Sequence, residues 1–211
     1  ARKAQAAGFR AVKLRVGNES APEGEVARVL AVRDAVGPDV GIMVDATETW
    51  TVDRAIRTGR ALRDAGVVWL EDPIHHADVA GMARIAQAVD IPLATGEHLY
   101  TLAEFARLLE ARAADVALID LGRIGGVTPW RHVASLAHGL GVRVGGHVLP
   151  EIHIHLLAAA PNGYRVEYVP RSARLLRSMP QLADGAICAT DAPGFGLELD
   201  PAAVTRYAVG A

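Results

Sequence analysis

The sequence predicts an α/β fold, a (β/α)8-type TIM barrel built on a parallel sheet. Short runs rich in Val and Ile alternate with segments of helical period, and no hairpin signal joins one run to the next. The runs are apolar almost throughout, as in strands covered on both faces. Ionisable residues stand at nearly every strand end, and barrel enzymes draw functional groups from several strand ends at one face.

Seven runs are candidate strands, each with polar residues at its carboxyl end. The runs are 11–16, 40–45, 67–72, 91–97, 115–121, 142–147 and 164–169. The polar residues are Lys13 with Arg15, then Asp45, Glu71, Glu97, Asp120, His147 and Glu167. An open doubly wound sheet, the competing fold, would gather its site at one switch point, so this spread favours the barrel.

The segments between the runs carry helix signals. Residues 52–66 have helical period and end at Gly66, a C-cap residue. Thr101 and Glu104 form a capping box at the start of a later helical segment, which begins at residue 101. The pair His153 and His155 lies in a helical pattern, where positions i and i+2 do not share a face, so packing or a surface position is expected rather than metal binding. Trp50 and Trp69 are expected between barrel and helices.

The number of strands limits how much of a barrel is present. A full barrel needs eight strands and roughly 250 residues. We therefore predict strands 2 to 8 in a barrel domain, residues 1–169, that lacks its first strand. Because the chain starts at Ala1 inside a helical pattern, we expect an upstream part. Residues 170–211, rich in Pro and Gly, are predicted to form a C-terminal extension with a few short elements.

Composition excludes several classes of partner. Lys and Arg number 22 against 24 Asp and Glu, and a net charge of −2 offers no basic field for nucleic acid or a membrane surface. The single cysteine, Cys188, excludes an intrachain disulfide. No apolar run is long enough to span a bilayer. We expect a soluble protein of the reducing cytoplasm.

Three of the strand-end residues are carboxylates on consecutive strands. Asp45, Glu71 and Glu97 should converge, and three like charges that close require a cation. Oxygen ligands alone select a hard ion, Mg²⁺ or Mn²⁺. The alternative interpretation is that each acid caps the helix that follows it.

The later strand ends predict a base and two binding groups. Asp120 can orient the imidazole of His147 and raise its basicity, which makes His147 a general base. Glu167 is expected as a protonated acid that donates to an oxyanion, since burial raises a carboxyl pKa. Lys13 and Arg15 should face the barrel mouth and bind a substrate carboxylate. The alternatives are a loop histidine for His147 and a salt bridge for Glu167.

Six segments together resemble a known family. They are "VKLRVG", "VDATETW", "WLEDP", "ATGEHL", "DLGRIGGVT" and "GGHVLPEIHIHLLAA". In order and spacing they are similar to the mandelate racemase subgroup of the enolase superfamily. The resemblance implies that the Mg²⁺ ligands are Asp45, Glu71 and Glu97. It also implies that His147 with Asp120 is the base and that Glu167 is the electrophilic acid.

The chain departs from that family at one position. The family has Lys-x-Lys at the end of the second strand, the first Lys contacting the substrate carboxylate and the second acting as a base opposite the His. Here the second position is Arg15, which stays protonated and is a poor base. One-base chemistry is therefore preferred, the dehydration of a sugar acid to a 2-keto-3-deoxy acid. A racemase or epimerase of a 2-hydroxy acid, with Lys13 as second base, is the alternative.

The resemblance carries three further expectations. Family members have an N-terminal α+β capping domain that closes the barrel mouth, and this sequence lacks it. Thr47 and His98 are expected to contact substrate, and the enzyme is expected to be a homo-oligomer. A non-enzymatic relative that keeps the metal site as a structural protein is the remaining alternative.

Overall fold

The computed structural model describes residues 1–209, whose centre is a parallel sheet of seven strands in chain order. The strands are β1 (Ala11–Arg15), β2 (Gly41–Asp45), β3 (Val67–Glu71), β4 (Leu93–Thr95), β5 (Val116–Asp120), β6 (Arg143–His147) and β7 (Gly163–Val166). Each strand pairs in parallel with the next, which leaves β1 and β7 at the two edges. The predicted α/β fold and all seven predicted strands are confirmed.

The sheet curls so that its two edges approach each other. Lys13 on β1 reaches Glu167, directly after β7, with 2.6 Å between Nζ and Oε1. No pairing of β1 with β7 occurs within the described residues, so the sheet is a partial barrel rather than a closed one. The carboxyl ends of all seven strands consequently face one common mouth.

The helices cover the outside of this sheet. They are α1 (Arg2–Ala6), α2 (Pro22–Val36), α3 (Val52–Leu62), α4 (Val79–Ala88), α5 (Leu102–Glu110), α6 (Leu121–Ile124), α7 (Val127–Gly139), α8 (Pro150–Ala159) and α9 (Pro201–Tyr207). The predicted capping box is present at the start of α5. After α3 a 3-10 turn, Arg63–Ala65, leads to Gly66 in the left-handed conformation that the predicted helix end requires.

Two apolar clusters stabilise the fold. The larger fills the space between sheet and helices and includes Trp50, as predicted. The smaller lies on the concave face of the sheet and contains Met43, Trp69, Ala94, Val116 and Leu118. Trp69 was expected between barrel and helices, and this expectation is wrong. Both faces of a buried parallel strand are apolar, so the run itself does not tell the inside of a barrel from the outside.

The chain after β7 forms only short elements. They are a 3-10 turn (Arg171–Leu175), a two-stranded hairpin of β8 (Leu182–Ala183) and β9 (Ala186–Ile187), and α9. Residues 210 and 211, the end of the predicted extension, lie outside the described residues. Among the described helices, none combines the length and apolar character needed to cross a membrane.

Candidate active site

A cavity of about 720 Å³ opens between the two edges of the sheet. Its wall includes Lys13, Glu71, His147 and Glu167, four of the residues that the strand ends predicted. Trp69 also lines it. Ionisable groups on an otherwise apolar concave wall make this cavity the candidate site.

Lys13 is held between two carboxylates. Its Nζ lies 2.5 Å from Oε1 of Glu71 and 2.6 Å from Oε1 of Glu167. Burial disfavours the ammonium charge, but the two carboxylates outweigh it and raise the Lys13 pKa above its usual value. Lys13 is therefore an ammonium ion, and the anions that it meets in this structure belong to the protein.

Arg15 differs from Lys13 although both lie on the same face of β1. The Arg15 side chain is 66% exposed at the rim, with its guanidinium 3.9 Å from Oδ2 of Asp45. It is thus open to an incoming anion. Thr47, which was expected to bind substrate, contacts Asp45 here: its N–H and Oγ1 donate to Oδ1 of Asp45 at 2.8 and 3.2 Å.

The two glutamates of the predicted metal site are difficult to ionise together. Burial raises the pKa of Glu71 to about 7, although Lys13 opposes the shift. Burial also raises the pKa of Glu97 to about 7, with Lys13 opposing and Asp45 adding to it. The indole N–H of Trp69 donates to Oε2 of Glu71 at 2.8 Å. A cation beside these carboxylates would relieve their repulsion.

The charge of Asp45 acts on both Glu71 and Glu97, but these three predicted metal ligands are not all in contact. Within residues 1–209, two groups of three residues each bring one ligand atom per residue within 4.8 Å of the others. They are Asp72 with Glu97 and His98, and Glu48 with His75 and His76. The close convergence expected of Asp45, Glu71 and Glu97 is therefore not observed at this distance. Lys13 and Trp69 hold the Glu71 carboxylate, and Thr47 holds that of Asp45.

Asp72 lies beside these carboxylates, although it was not among the predicted site residues. It is 1% exposed, and its Oδ1 has no hydrogen-bond partner. Burial raises its pKa well above the usual value, and the charge of Glu97 adds to the shift. The signal available in the sequence was its position directly after Glu71. An unpartnered buried carboxylate oxygen among further carboxylates suits a hard cation, so the residues present fit a metal site.

His147 and Asp120 are paired as the sequence suggested. Nδ1 of His147 lies 2.7 Å from Oδ2 of Asp120, and the backbone N–H of Arg123 donates to Oδ1 at 2.9 Å. Burial opposes ionisation of Asp120, but these two hydrogen bonds outweigh it and lower the Asp120 pKa. Nε2 of His147 points at the carboxylates, 3.3 Å from Oε2 of Glu97. The carboxylate on Nδ1 thus leaves Nε2 as the proton acceptor.

Glu167 differs from its predicted state. Its Oε2 accepts a hydrogen bond from the Val148 N–H at 3.0 Å, and its Oε1 pairs with Lys13. Burial alone would raise the Glu167 pKa, yet Lys13 and the Val148 N–H lower it. The lowered pKa favours the carboxylate form of Glu167 over the predicted protonated acid. The salt bridge weighed as its alternative is present.

His98 lies next to Glu97, with Nε2 3.5 Å from Oε1 of Glu97 and 3.8 Å from Oδ2 of Asp72. Burial lowers its pKa. Arg123, which the sequence did not single out, donates from its guanidinium to the backbone oxygen of Glu97 at 2.6 Å. Both residues border the carboxylates that line the mouth of the sheet.

Comparison with known proteins identifies the family. The family model described as "Enolase C-terminal domain-like" matches residues 1–203. The chain belongs to this family. The predicted relationship to the mandelate racemase subgroup of the enolase superfamily is confirmed at this level. In TIM-barrel enzymes the active site lies at the carboxyl ends of the strands.

Named relatives include dehydratases and a racemase. L-talarate/galactarate dehydratase of Salmonella typhimurium is 34% identical over 91% of this chain and 48% of the relative. The crystal structure of L-talarate dehydratase from Polaromonas sp. JS666, complexed with Mg and L-glucarate, has a TM-score of 0.92 at 35% identity, covering 96% of this chain and 56% of that one. A racemase from Streptomyces coelicolor with bound magnesium also has a TM-score of 0.92 at 35% identity, over 98% and 57%. The chain thus spans about half the length of these relatives.

Proposed function

We propose that this chain is the catalytic barrel part of an acid-sugar dehydratase, a hydro-lyase that removes the proton α to a carboxylate. The observation that carries the proposal is the His147–Asp120 pair, with Nε2 of His147 aimed at the carboxylate of Glu97. The family supports this chemistry, and so do the dehydratases among its relatives. Sugar acids are the proposed substrate class, as L-glucarate is the ligand of the Polaromonas enzyme.

Asp45, Glu71 and Glu97 would hold Mg²⁺, and Mn²⁺ fits the same oxygen donors. The unpartnered oxygen of Asp72 supports a cation at this place. When bound, the ion would polarise the substrate carboxylate and balance negative charge that develops on it. The magnesium in the related crystal structures supports the choice of ion.

The chain's own residues bind the substrate and move the proton. Arg15, exposed at the rim, binds a substrate carboxylate, and Lys13 supplies a second positive charge inside the cavity. His147 Nε2 takes the α-proton while Asp120 holds Nδ1 and stabilises the imidazolium. The electron pair of the broken C–H bond moves onto the carboxylate and gives an enediolate.

The second half of the reaction uses the same histidine. As the enediolate collapses, a carbon–carbon double bond forms and the β-carbon–oxygen bond breaks. The imidazolium of His147 returns its proton to the departing hydroxide, which leaves as water. The enol product then tautomerises to the 2-keto-3-deoxy acid. One base is enough for this sequence of steps, which fits a chain with Arg15 in place of a second lysine.

Racemisation of a 2-hydroxy acid is the second candidate, supported by the related racemase. It requires a second base on the face opposite His147, and Lys13 is the residue available. The two carboxylates that raise the Lys13 pKa favour its ammonium form, which is unsuited to take a proton. The dehydratase is therefore preferred. A cytoplasmic location and a homo-oligomeric state stay predictions.

The test uses the protein with Mg²⁺ and a panel of sugar acids in D₂O. Each reaction is assayed for 2-keto product and for deuterium at the α-carbon. The proposal expects keto product from at least one acid, and its loss in His147→Asn with folding retained. Deuterium uptake with inversion and no keto product would contradict it and support the racemase.

A further inference from the structure

A second group of ligating side chains lies beside the mouth, outside the proposed chemistry. Glu48, in the loop after β2, and His75 and His76, in the loop after β3, each offer one ligand atom within 4.8 Å of the others. His75 is exposed, and His76 and Glu48 are half-buried. The cluster is therefore open to ions from solvent.

The cluster is organised by hydrogen bonds. Oε1 of Glu48 accepts the backbone N–H of His76 at 2.7 Å and also lies 2.7 Å from its Nδ1. A cation that displaced the proton between these two atoms would contact Nδ1 of His76 and the Glu48 carboxylate together. Both contacts use Oε1, so Oε2 of the same carboxylate remains available to a cation.

The two imidazole rings lie face to face. The rings of His75 and His76 stack with their centroids 4.3 Å apart, and the backbone N–H of Ala77 donates to Nδ1 of His75 at 3.2 Å. Glu48 itself has a φ of 60°, which is costly for a residue with a side chain. Its backbone N–H donates to the oxygen of Asp72 at 2.7 Å, which helps to hold that conformation.

The donor chemistry differs from that of the carboxylate site. Imidazole suits zinc, nickel, copper and cobalt, whereas carboxylates alone suit magnesium. The two places are also neighbours: the ring of His76 stacks on that of His98 at 5.5 Å, and Nε2 of His98 lies 3.5 Å from Oε1 of Glu97. A single imidazole ring thus separates the two donor sets.

We propose that Glu48, His75 and His76 form a second cation site, selective for a transition metal such as Zn²⁺ over Mg²⁺. Three protein ligands of this kind leave coordination positions open, as in zinc sites that also bind water or an anion. The site lies beside the carboxylates at the mouth of the sheet, to which His98 connects it, so a cation bound there stands close to the proposed substrate site.

The test is a titration of the protein with Co²⁺, a spectroscopic substitute for Zn²⁺, in the presence of a large excess of Mg²⁺. Cobalt bound through imidazole in a site of low coordination number absorbs visible light more strongly than cobalt in an octahedral oxygen site. Three variants are compared: His75→Ala with His76→Ala, Glu48→Gln, and a control, His132→Ala with His138→Ala on the exposed face of α7.

The proposal expects a visible band that saturates at one Co²⁺ per chain in the parent and in the α7 control. The band should be absent from the doubly substituted loop, and Glu48→Gln should weaken binding about tenfold or more. No band in the parent, or a band retained without His75 and His76, overturns the proposal. NMR of the parent with added Zn²⁺ gives a readout without substitution. Zinc-induced shifts confined to histidine rings other than those of His75 and His76 would also overturn the proposal.

Discussion

His147 is fixed by the residues that follow it as well as by Asp120. The next residue, Val148, has a φ of 48°, a rare conformation for a β-branched residue. Its N–H donates to Glu167, and its carbonyl oxygen lies 2.8 Å from Nδ1 of His153. His153 is fully buried, so the predicted packing role of this histidine extends to holding the loop that carries His147.

Gly146→Ala tests this arrangement. A Cβ at position 146 would lie 2.5 Å from Cγ of His153, too close for either group to stay in place. We expect a loss of about 1–3 kcal/mol in the free energy of unfolding, measured by urea denaturation. The control is Gly139→Ala at the end of α7, where an added Cβ has no neighbour within 4 Å. Equal stability of the two variants would contradict the account.

Asp120→Asn tests how the base is oriented. The amide keeps the shape of the side chain but removes the charge that lies 2.7 Å from Nδ1 of His147. We expect kcat for dehydration to fall about a hundredfold or more, with a smaller change in KM. A variant with parental kcat would mean that His147 does not depend on this carboxylate.

At the scale of the element, strands and helices follow from local patterns. The alternation of apolar runs with capped helical segments predicted all seven strands and the start of α5, because each signal lies within a few residues. The patterns did not predict that Trp69 lies inside the curl or that Asp72 is buried beside Glu97. Those facts depend on how distant strands pack. Their partial signals were the shared face of Trp69 and Glu71 and the position of Asp72 at a strand end.

Thr101→Ala tests the capping box of α5. Thr101 Oγ1 accepts the backbone N–H of Glu104, and the Glu104 carboxylate accepts the N–H of Thr101 at 2.8 Å. Removal of the hydroxyl should cost about 1 kcal/mol of stability. Thr205→Ala, within the exposed α9, should change stability by less than about 0.5 kcal/mol, and a cost as large as that of Thr101→Ala would argue against the cap.

At the scale of the whole molecule, the curl of the sheet brings charges together from strands far apart in sequence. Lys13 on β1 meets Glu167 after β7. Burial raises the pKa values of Glu71 and Glu97, and the charge of Asp45 on β2 adds to both shifts. The sequence identified these residues because each stands at a strand end. It did not predict the protonation state of Glu167, which depends on which group Lys13 contacts.

This clustering predicts how stability depends on pH when Mg²⁺ is chelated. With pKa values of about 7, against an ordinary value of 4.5, Glu71 and Glu97 bind more protons in the folded chain than in the unfolded one. Stability should therefore fall as pH rises from 6.5 to 8, by roughly 1.5 kcal/mol. Below pH 6.5 the lowered pKa values of His98 and His153 act in the opposite direction. Urea denaturation at several pH values measures the slope.

Glu97→Gln identifies the source of that slope. The substitution removes one of the carboxylates whose pKa is raised and leaves Glu71 and Asp72, so the fall in stability between pH 6.5 and 8 should be measurably less steep. A slope unchanged in this variant, or a parent whose stability rises across the same interval, would show that the strand-end carboxylates are not the groups responsible.

The central claim is that the carboxylates at the strand ends bind Mg²⁺. The most direct measurement is isothermal titration of the protein with Mg²⁺ at pH 8, repeated with Asp45→Asn and with Asp64→Asn, whose side chain is exposed on the outside of the fold. The account predicts one Mg²⁺ per chain, bound by the parent and by Asp64→Asn and lost or greatly weakened in Asp45→Asn. Binding that is absent from the parent, or that is the same in all three proteins, would contradict it.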